Sequence, residues 1–415
     1  MNGKNLRVLR EERAFARLLS ASFISRTGDW FNTVAVLSLL LTLTGSGLAV
    51  GVALALQVFP RLVFSPVAGI LADRLPRKAI LIVTDLCSMG LALSLLLVTT
   101  PGRVWIVYVG TIGLVVCSNL RAPARTAIVP DLVRPENLLA ANGLEGVMSG
   151  SVMMLGAVLG GIASGVFGPQ VAFVLNALSF LVSALLIVSI RIPAGERRTR
   201  RGKAALGSIW PLLRNTPLLR IILLLAMLWP LGGGMLNVLL SVYAFQVFHA
   251  GDAGVGVLYG AIGVGLLLGG MLTTRFARWM RGAIAGAYVL EGVCNVLMSR
   301  SPSLGIAAVL LVVGTLASGV GNACISFLLM PLTPSRQLGR VSALMSTVSS
   351  CTFGGSLLLS GVLLARVAPR ELGLLGGMLI TVAGLVGALA LWRTPLPVET
   401  AHEEETAERA VVAKG

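Results

Sequence analysis

Charge is scarce in this chain, with only 12% of 415 residues Asp, Glu, Lys or Arg. A soluble domain carries roughly a quarter, because water must solvate its surface. The shortage runs along the whole length and excludes a water-solvated exterior; lipid is the solvent the composition fits. Histidine is nearly missing, with His249 and His402 alone. The five cysteines, Cys87, Cys117, Cys294, Cys324 and Cys351, lie in apolar runs without CxxC spacing. A disulfide framework, a zinc site and a histidine-based active site are thereby set aside. No Ser–His or paired-Asp arrangement supports an intramembrane enzyme. No cofactor or metal is expected, and no cleavable signal, since the first sixteen or so residues are charged.

What is present is apolar: 56% hydrophobic residues and 49 glycines, the latter suited to close helix contacts in a bilayer. Runs long enough to cross a bilayer as helices lie near 17–43, 47–71, 79–99, 103–127, 139–165 and 169–190. A second set lies near 218–247, 254–274, 282–299, 303–329, 341–365 and 371–392. The expectation is an all-α membrane protein of twelve spans, six and six.

The net charge of +16 does not mark a nucleic-acid binder, because the basic residues form short clusters between apolar runs. They occupy alternate loops: Lys4 to Arg17, Arg74 to Lys78, Arg121 to Arg134, Arg191 to Arg214, Arg275 to Arg281, and Arg336 with Arg340. The intervening loops hold only Arg103, Arg300, Arg366 and Arg370. By the positive-inside rule both termini are cytoplasmic, in a bacterial inner membrane. The expected units are a cytoplasmic segment 1–16, a six-span bundle 17–190, a cytoplasmic linker 191–216 containing ERRTRRGK, a second bundle 217–393, and a solvated tail 394–415.

The halves repeat. After the second span the chain reads Gly69-Ile-Leu71-Ala-Asp73-Arg74-Leu-Pro-Arg77-Lys78, and after the eighth Gly270-Met-Leu272-Thr-Thr274-Arg275-Phe-Ala-Arg278. Gly, Leu, Arg and Arg coincide at an offset of 201, as do Pro130 and Pro331, placed after the fourth and tenth spans. Two matches at one offset argue for tandem duplication.

GILADRLPRK resembles the signature loop of the major facilitator superfamily. PRLVFSPVAGILADRLPRK and PARTAIVPDLVRPENLLAANGL resemble its branch of bacterial drug, macrolide and siderophore exporters. The likeness covers roughly 17–392. It implies two pseudo-symmetric six-helix bundles around a central cavity, with spans 1, 2, 4 and 5 facing 7, 8, 10 and 11. It also implies that Asp73 latches the cytoplasmic side shut in an outward-open state, engaging Arg121 or Arg125, or the start of span 11 near Arg340. Gly69 is expected to let the helix end approach its neighbour closely. The other reading of Arg74, Arg77 and Lys78 is that they only set topology. Where drug antiporters have Gly-Pro before Gly-Gly, this chain has Gly156-Ala157-Val-Leu-Gly160-Gly161, a partial match. These glycines, with Gly265 and Gly269, are read as the surface on which spans 5 and 8 pack.

Asp29 is the sharpest site candidate, about twelve residues and roughly 18 Å into the first span. Arg26 shares its face, and Arg61 in the second span lies at similar depth. An ionisable group there marks a pathway or a paired site. Asp29 either titrates during a transport cycle or is held in a permanent pair with Arg26 or Arg61. Glu145 is a second coupling candidate, placed near the cavity mouth or Arg121. Glu291, on a peripheral span, is a poor one, and Asp85 is placed with the cytoplasmic charges. Trp30, Asn32, Gln57, Asn119, Asn142, Trp229, Asn237 and Asn322 are the candidate cavity residues; each could instead bond a neighbouring helix.

With no P-loop, energy must come from an ion gradient or the substrate's own. The expected function is secondary export of a small amphipathic or drug-like molecule by alternating access, with protons as the coupling partner and the chain a monomer. Lipid or lysolipid movement, or uptake, is the alternative within transport. A membrane sensor or assembly subunit is the alternative outside it, though the short loops offer no interaction domain.

Overall fold

Runs of twenty or more apolar residues in lipid must satisfy their backbone internally, and the helix does this within one segment. The computed structural model describes residues 8–191, 210–276, 280–333 and 335–393, and these are helical with no strand among them. The helices are α1 (Arg13–Thr44), α2 (Gly47–Ala55), α3 (Phe59–Arg74), α4 (Arg77–Ser94), α5 (Val104–Leu132), α6 (Leu138–Phe167) and α7 (Pro169–Val188). After a short α8 (Trp210–Asn215) come α9 (Pro217–Val242), α10 (Gly251–Phe276), α11 (Met280–Ser299), α12 (Leu304–Leu332), α13 (Ser335–Leu363) and α14 (Pro369–Trp392). Proline opens α7, α9 and α14 at the first helical position, where its missing N–H costs nothing.

Among the described residues, eleven helical stretches are long and apolar enough to cross a membrane by length and composition. α1 is left out of that set although it is 32 residues long. Its middle carries Arg26, Asp29 and Asn32, the residues that make it interesting. With α1 there are twelve spans, the second made of α2 and α3 together.

The break between α2 and α3 was not foreseen. Pro60 has no N–H to give the carbonyl of Leu56, so the chain tightens into i→i+3 bonds there. Gln57 donates to Leu54 and Val58 to Ala55, at 3.0 and 2.9 Å. The expected position of the repeat prolines is also corrected. Pro130 and Pro331 lie inside α5 and α12 rather than after them, near helix ends at Leu132 and Leu332. The correspondence between halves survives the shift.

Within the first half α1 packs on α6 and α7, α4 on α5 and α7, and α3 on α5. Within the second, α9 packs on α13 and α14, α11 on α12 and α14, and α10 on α12. The halves meet through α6 against α10 and α2 against α13. Glycine makes both crossings close. A Cβ on Gly161 would lie 2.7 Å from the Gly256 Cα, and one on Gly361 2.9 Å from the Leu48 Cα. Gly256, Gly260 and Gly263 are glycines of α10 that meet α6. Gly265 and Gly269, expected on that surface, instead face α12 at Thr315 and Gly319. They lie on the other side of the helix.

The core reveals the conformation. At the end remote from the Arg-rich loops, both halves share one apolar cluster that includes Leu37 and Leu40 of α1, Val50 of α2, Leu239 of α9, Tyr259 of α10 and Leu357 of α13. At the Arg-rich end there are two separate clusters. One, in the first half, is built around Phe15, Ile128 and Ile187; the other, in the second, around Leu219, Ile284 and Leu328. The halves are joined at the far end and parted at the Arg-rich end. Large apolar side chains such as Leu185, Met378 and Leu389 are exposed, as suits a surface solvated by lipid.

Candidate functional site

A cavity of about 470 Å³ lies among α1, the α2–α3 break and α5, and every described residue lining it belongs to the first half. α1 contributes Arg26, Asp29, Trp30 and Asn32, the broken span contributes Gln57 and Arg61, and α5 contributes Arg121 and Arg125. The break in the second span places Gln57 and Arg61 on this wall. Trp30 is also held from the other half, its ring 5.7 Å from that of Tyr259.

The charges divide into two kinds. Arg121 is bound: its Nη1 lies 3.1 Å from Asp85 Oδ1, its Nη2 donates to Ser88 Oγ at 3.2 Å, and its guanidinium stacks 5.0 Å above the Phe180 ring. Asp85 is fully buried and also accepts from Ser183 Oγ at 2.6 Å. This buried pair ties α4, α5 and α7 together. Arg125 pairs with Glu145 of α6. The sequence places Glu145 near the cavity mouth or Arg121; its partner is Arg125, one turn further along α5.

Asp29, Arg26 and Arg61 are the second kind. Asp29 makes no ion pair among the described residues, and neither does Arg61, which is exposed to the cavity. Arg26 donates from Nη1 to Ser149 Oγ of α6 at 3.2 Å. Asp29 therefore shares a cavity with both arginines without clasping either.

The signature loop is partly described. Arg77 donates to Asp131 at 2.9 Å and to the Ala127 carbonyl, and Lys78 donates to the carbonyls of Val188 and Ile190 at 2.8 and 2.7 Å. These residues hold α4 to α5 and α7 as well as carrying charge. Arg74 is exposed. The side chain of Asp73 lies outside the described residues, as do those of Arg275 and Arg336. A Cβ on Gly69 would meet nothing within 4 Å, so the close approach expected there is not made in this conformation. The parting of the halves at this end accounts for the empty space.

Of the expected cavity residues, Trp30, Asn32 and Gln57 line the space. Asn119 does not, and the side chain of Asn142 lies outside the described residues. In the second half, Asn237 accepts from Tyr259 Oη at 3.1 Å and Asn322 from Tyr288 Oη at 3.4 Å. Trp229 donates from Nε1 to Glu291 at 2.8 Å. Glu291 is thus a buried acceptor shared between α9 and α11, a role its peripheral span did not reveal. Sequence reasoning also missed Asp252, which accepts from Ser164 Oγ at 2.5 Å across the α6–α10 crossing at the far end.

The model of the Major Facilitator Superfamily matches residues 18–356. The chain belongs to the Major Facilitator Superfamily. It is a multi-pass membrane transporter and not an enzyme. The chain is 26% identical over 410 residues to the enterobactin exporter EntS of Citrobacter koseri, covering 95% of this chain and 97% of that one. It is 23% identical to macrolide efflux protein A of Streptococcus pyogenes, over 85% of this chain and 90% of that one. The MFS-type transporter YfiS of Bacillus subtilis is 29% identical over 182 residues, spanning only 43% of either chain. In fold it matches a bacterial homologue of the human lysosomal transporter Spinster, solved inward-facing and unoccupied, with a TM-score of 0.71, 17% identity and coverage of 94% and 98%.

Proposed function

We propose that this transporter exports a small amphipathic or drug-like molecule, of the drug, macrolide or siderophore class, by alternating access coupled to proton antiport. The observation that carries the reading is a cavity with an unclasped carboxylate, in a molecule parted at its Arg-rich end and sealed at the other. Export relatives, EntS and macrolide efflux protein A, support the direction. If the Arg-rich end is cytoplasmic, as the loop charges argue, this conformation faces inward and is ready to load from the cytoplasm. The boundaries follow the same reading: bundles 17–190 and 217–393 joined by a cytoplasmic linker 191–216, of which 192–209 lie outside the described residues. Both termini are then cytoplasmic, in a bacterial inner membrane, and the unit is a monomer.

In this cycle Asp29 exchanges a proton, and Arg125–Glu145 and Arg121–Asp85 keep the wall in register. Asp73 latches the Arg-rich end when it closes, with Gly69 giving the room for that approach. A resistance or accumulation screen in cells with and without the gene, repeated with a protonophore, tests the function. Gene-dependent efflux that collapses with the protonophore is expected. Asp29→Asn should retain the folded protein and lose the proton dependence. Gene-dependent accumulation, rather than efflux, would replace export by uptake.

A further inference from the structure

The cavity is charged in one sense. Among the described residues four guanidiniums line it, from Arg26, Arg61, Arg121 and Arg125, against a single lining carboxylate, Asp29. Arg121 and Arg125 are neutralised from behind by Asp85 and Glu145. That leaves Arg26 and Arg61 facing the space with Asp29 alone, an excess of one positive charge. Arg26 is already tethered to Ser149, whereas the Arg61 guanidinium makes no hydrogen bond or ion pair among the described residues. A guanidinium exposed to the cavity without a partner is open to pairing, and a ligand that brings an anionic group supplies the charge-assisted hydrogen bonds it lacks. Trp30, beside these charges, offers an aromatic wall for an apolar body.

We infer that the transported molecule is an amphipathic organic anion whose acidic group docks on Arg61, with Arg26 beside it and its apolar body against Trp30. This rests on the export reading but not on its proton coupling. An anion leaving the cell moves down the interior-negative potential, so the potential itself favours its export. Asp29 opposes the anion, and its neutralisation strengthens binding, so proton and anion would bind together and not in exchange; for such a substrate the potential, and not proton antiport through Asp29, drives export.

The test is equilibrium binding to the purified full chain in lipid nanodiscs, with three probes that share one ring system: 2-naphthoate, methyl 2-naphthoate and 2-naphthylmethylammonium. The anion should bind on the order of tenfold to a hundredfold tighter than the ester, the range of a charge-assisted hydrogen bond. The ammonium should bind no better than the ester. Arg61→Gln should remove the preference for the anion while keeping ester binding, and Asp29→Asn should raise anion affinity. Equal binding of the three probes, or a preference for the ammonium, overturns the inference. That comparison uses the unmodified chain, so it decides even if Arg61→Gln fails to fold. Anion preference without gene-dependent efflux of any compound would sink the export reading and leave this one standing. Efflux of neutral or cationic compounds without anion preference would do the opposite.

Discussion

At the scale of single residues, the described acids divide by what each touches. Asp85 is fully buried and its main partner, Arg121, is 13% exposed. Removing one member of such a pair strands the other, at about 3–5 kcal/mol. Asp85→Asn should therefore lower thermal stability of the purified protein far more than Asp29→Asn, which breaks no ion pair; equal melting temperatures would refute this. Glu12 differs again, lying before α1 and hydrogen-bonded to Arg134 at 2.8 Å. That bond holds its carboxyl below the ordinary value of 4.5, outweighing the upward push of burial. A depressed pKa contributes stability above the ordinary value and loses it as pH falls through the lowered one. Hydrogen-exchange protection around Glu12 and Arg134, taken relative to the intrinsic rate at each pH, should thus be steady from neutral pH downward and fall only below about pH 4.5; a loss of protection already under way at pH 6 would contradict it. The site was legible to this extent: Asp29, Arg26 and Arg61 stand out because charge is rare in an apolar run. Which acid meets which arginine was not legible, because i, i+4 spacing does not reveal how helices are rotated against each other. The sequence left Glu145 between the cavity mouth and Arg121 for that reason, and its partner is Arg125.

At the scale of helices, the decisive feature is how closely two backbones cross. Gly161 and Gly256 bring α6 and α10 into backbone contact, so a Cβ on either meets main chain that cannot swing aside. Gly161→Val should destabilise the joined far end and shift the population toward a form open there, read as increased thiol-reagent access at a cysteine placed at Ala253. Gly286→Ala on α11 is the control, since a Cβ there meets nothing within 4 Å. It should be neutral or stabilising by up to about 1 kcal/mol, as alanine is the better helix former. If both variants behaved alike, the crossing would not be the cause. The spans themselves were readable, because length and hydropathy suffice when lipid is the solvent. Three things were not. Pro60 was invisible as a break because apolar residues continue through it. The ends of α5 and α12 ran past their prolines, since the last turn of a helix tolerates proline when its neighbours satisfy the freed groups. Gly265 and Gly269 were assigned to the wrong side of α10, because glycine is abundant around that helix and only packing tells its faces apart.

At the scale of the whole molecule, a carrier of this fold needs two closures that exclude each other. The far-end closure is built from the shared apolar core, the glycine crossings and the Ser164–Asp252 bond. The Arg-rich closure is the one proposed for Asp73; a Cβ on Gly69 meets nothing within 4 Å, so the approach expected of that glycine is not made in this conformation. The geometry supplies a direct reporter of the balance between them. A Cβ built on Gly165 lies 3.9 Å from the Ala253 Cβ across the two halves. Disulfides form at Cβ separations of about 3.5–4.5 Å. In a cysteine-free background, the pair Gly165→Cys with Ala253→Cys should cross-link under mild oxidation, and transport should stop until the bond is reduced. Adding Ser164→Ala removes a hydrogen bond that exists only in the joined state, so the cross-linking rate should fall. Adding Asp73→Asn weakens the opposing closure, so the rate should rise. Shifts of about 1 kcal/mol in either direction change the population ratio roughly fivefold, enough to read from the rate. Opposite signs for the two substitutions are what rocking between two closed ends requires. The same sign for both, or continued transport through the cross-linked form, would show that the halves do not part at the far end during the cycle.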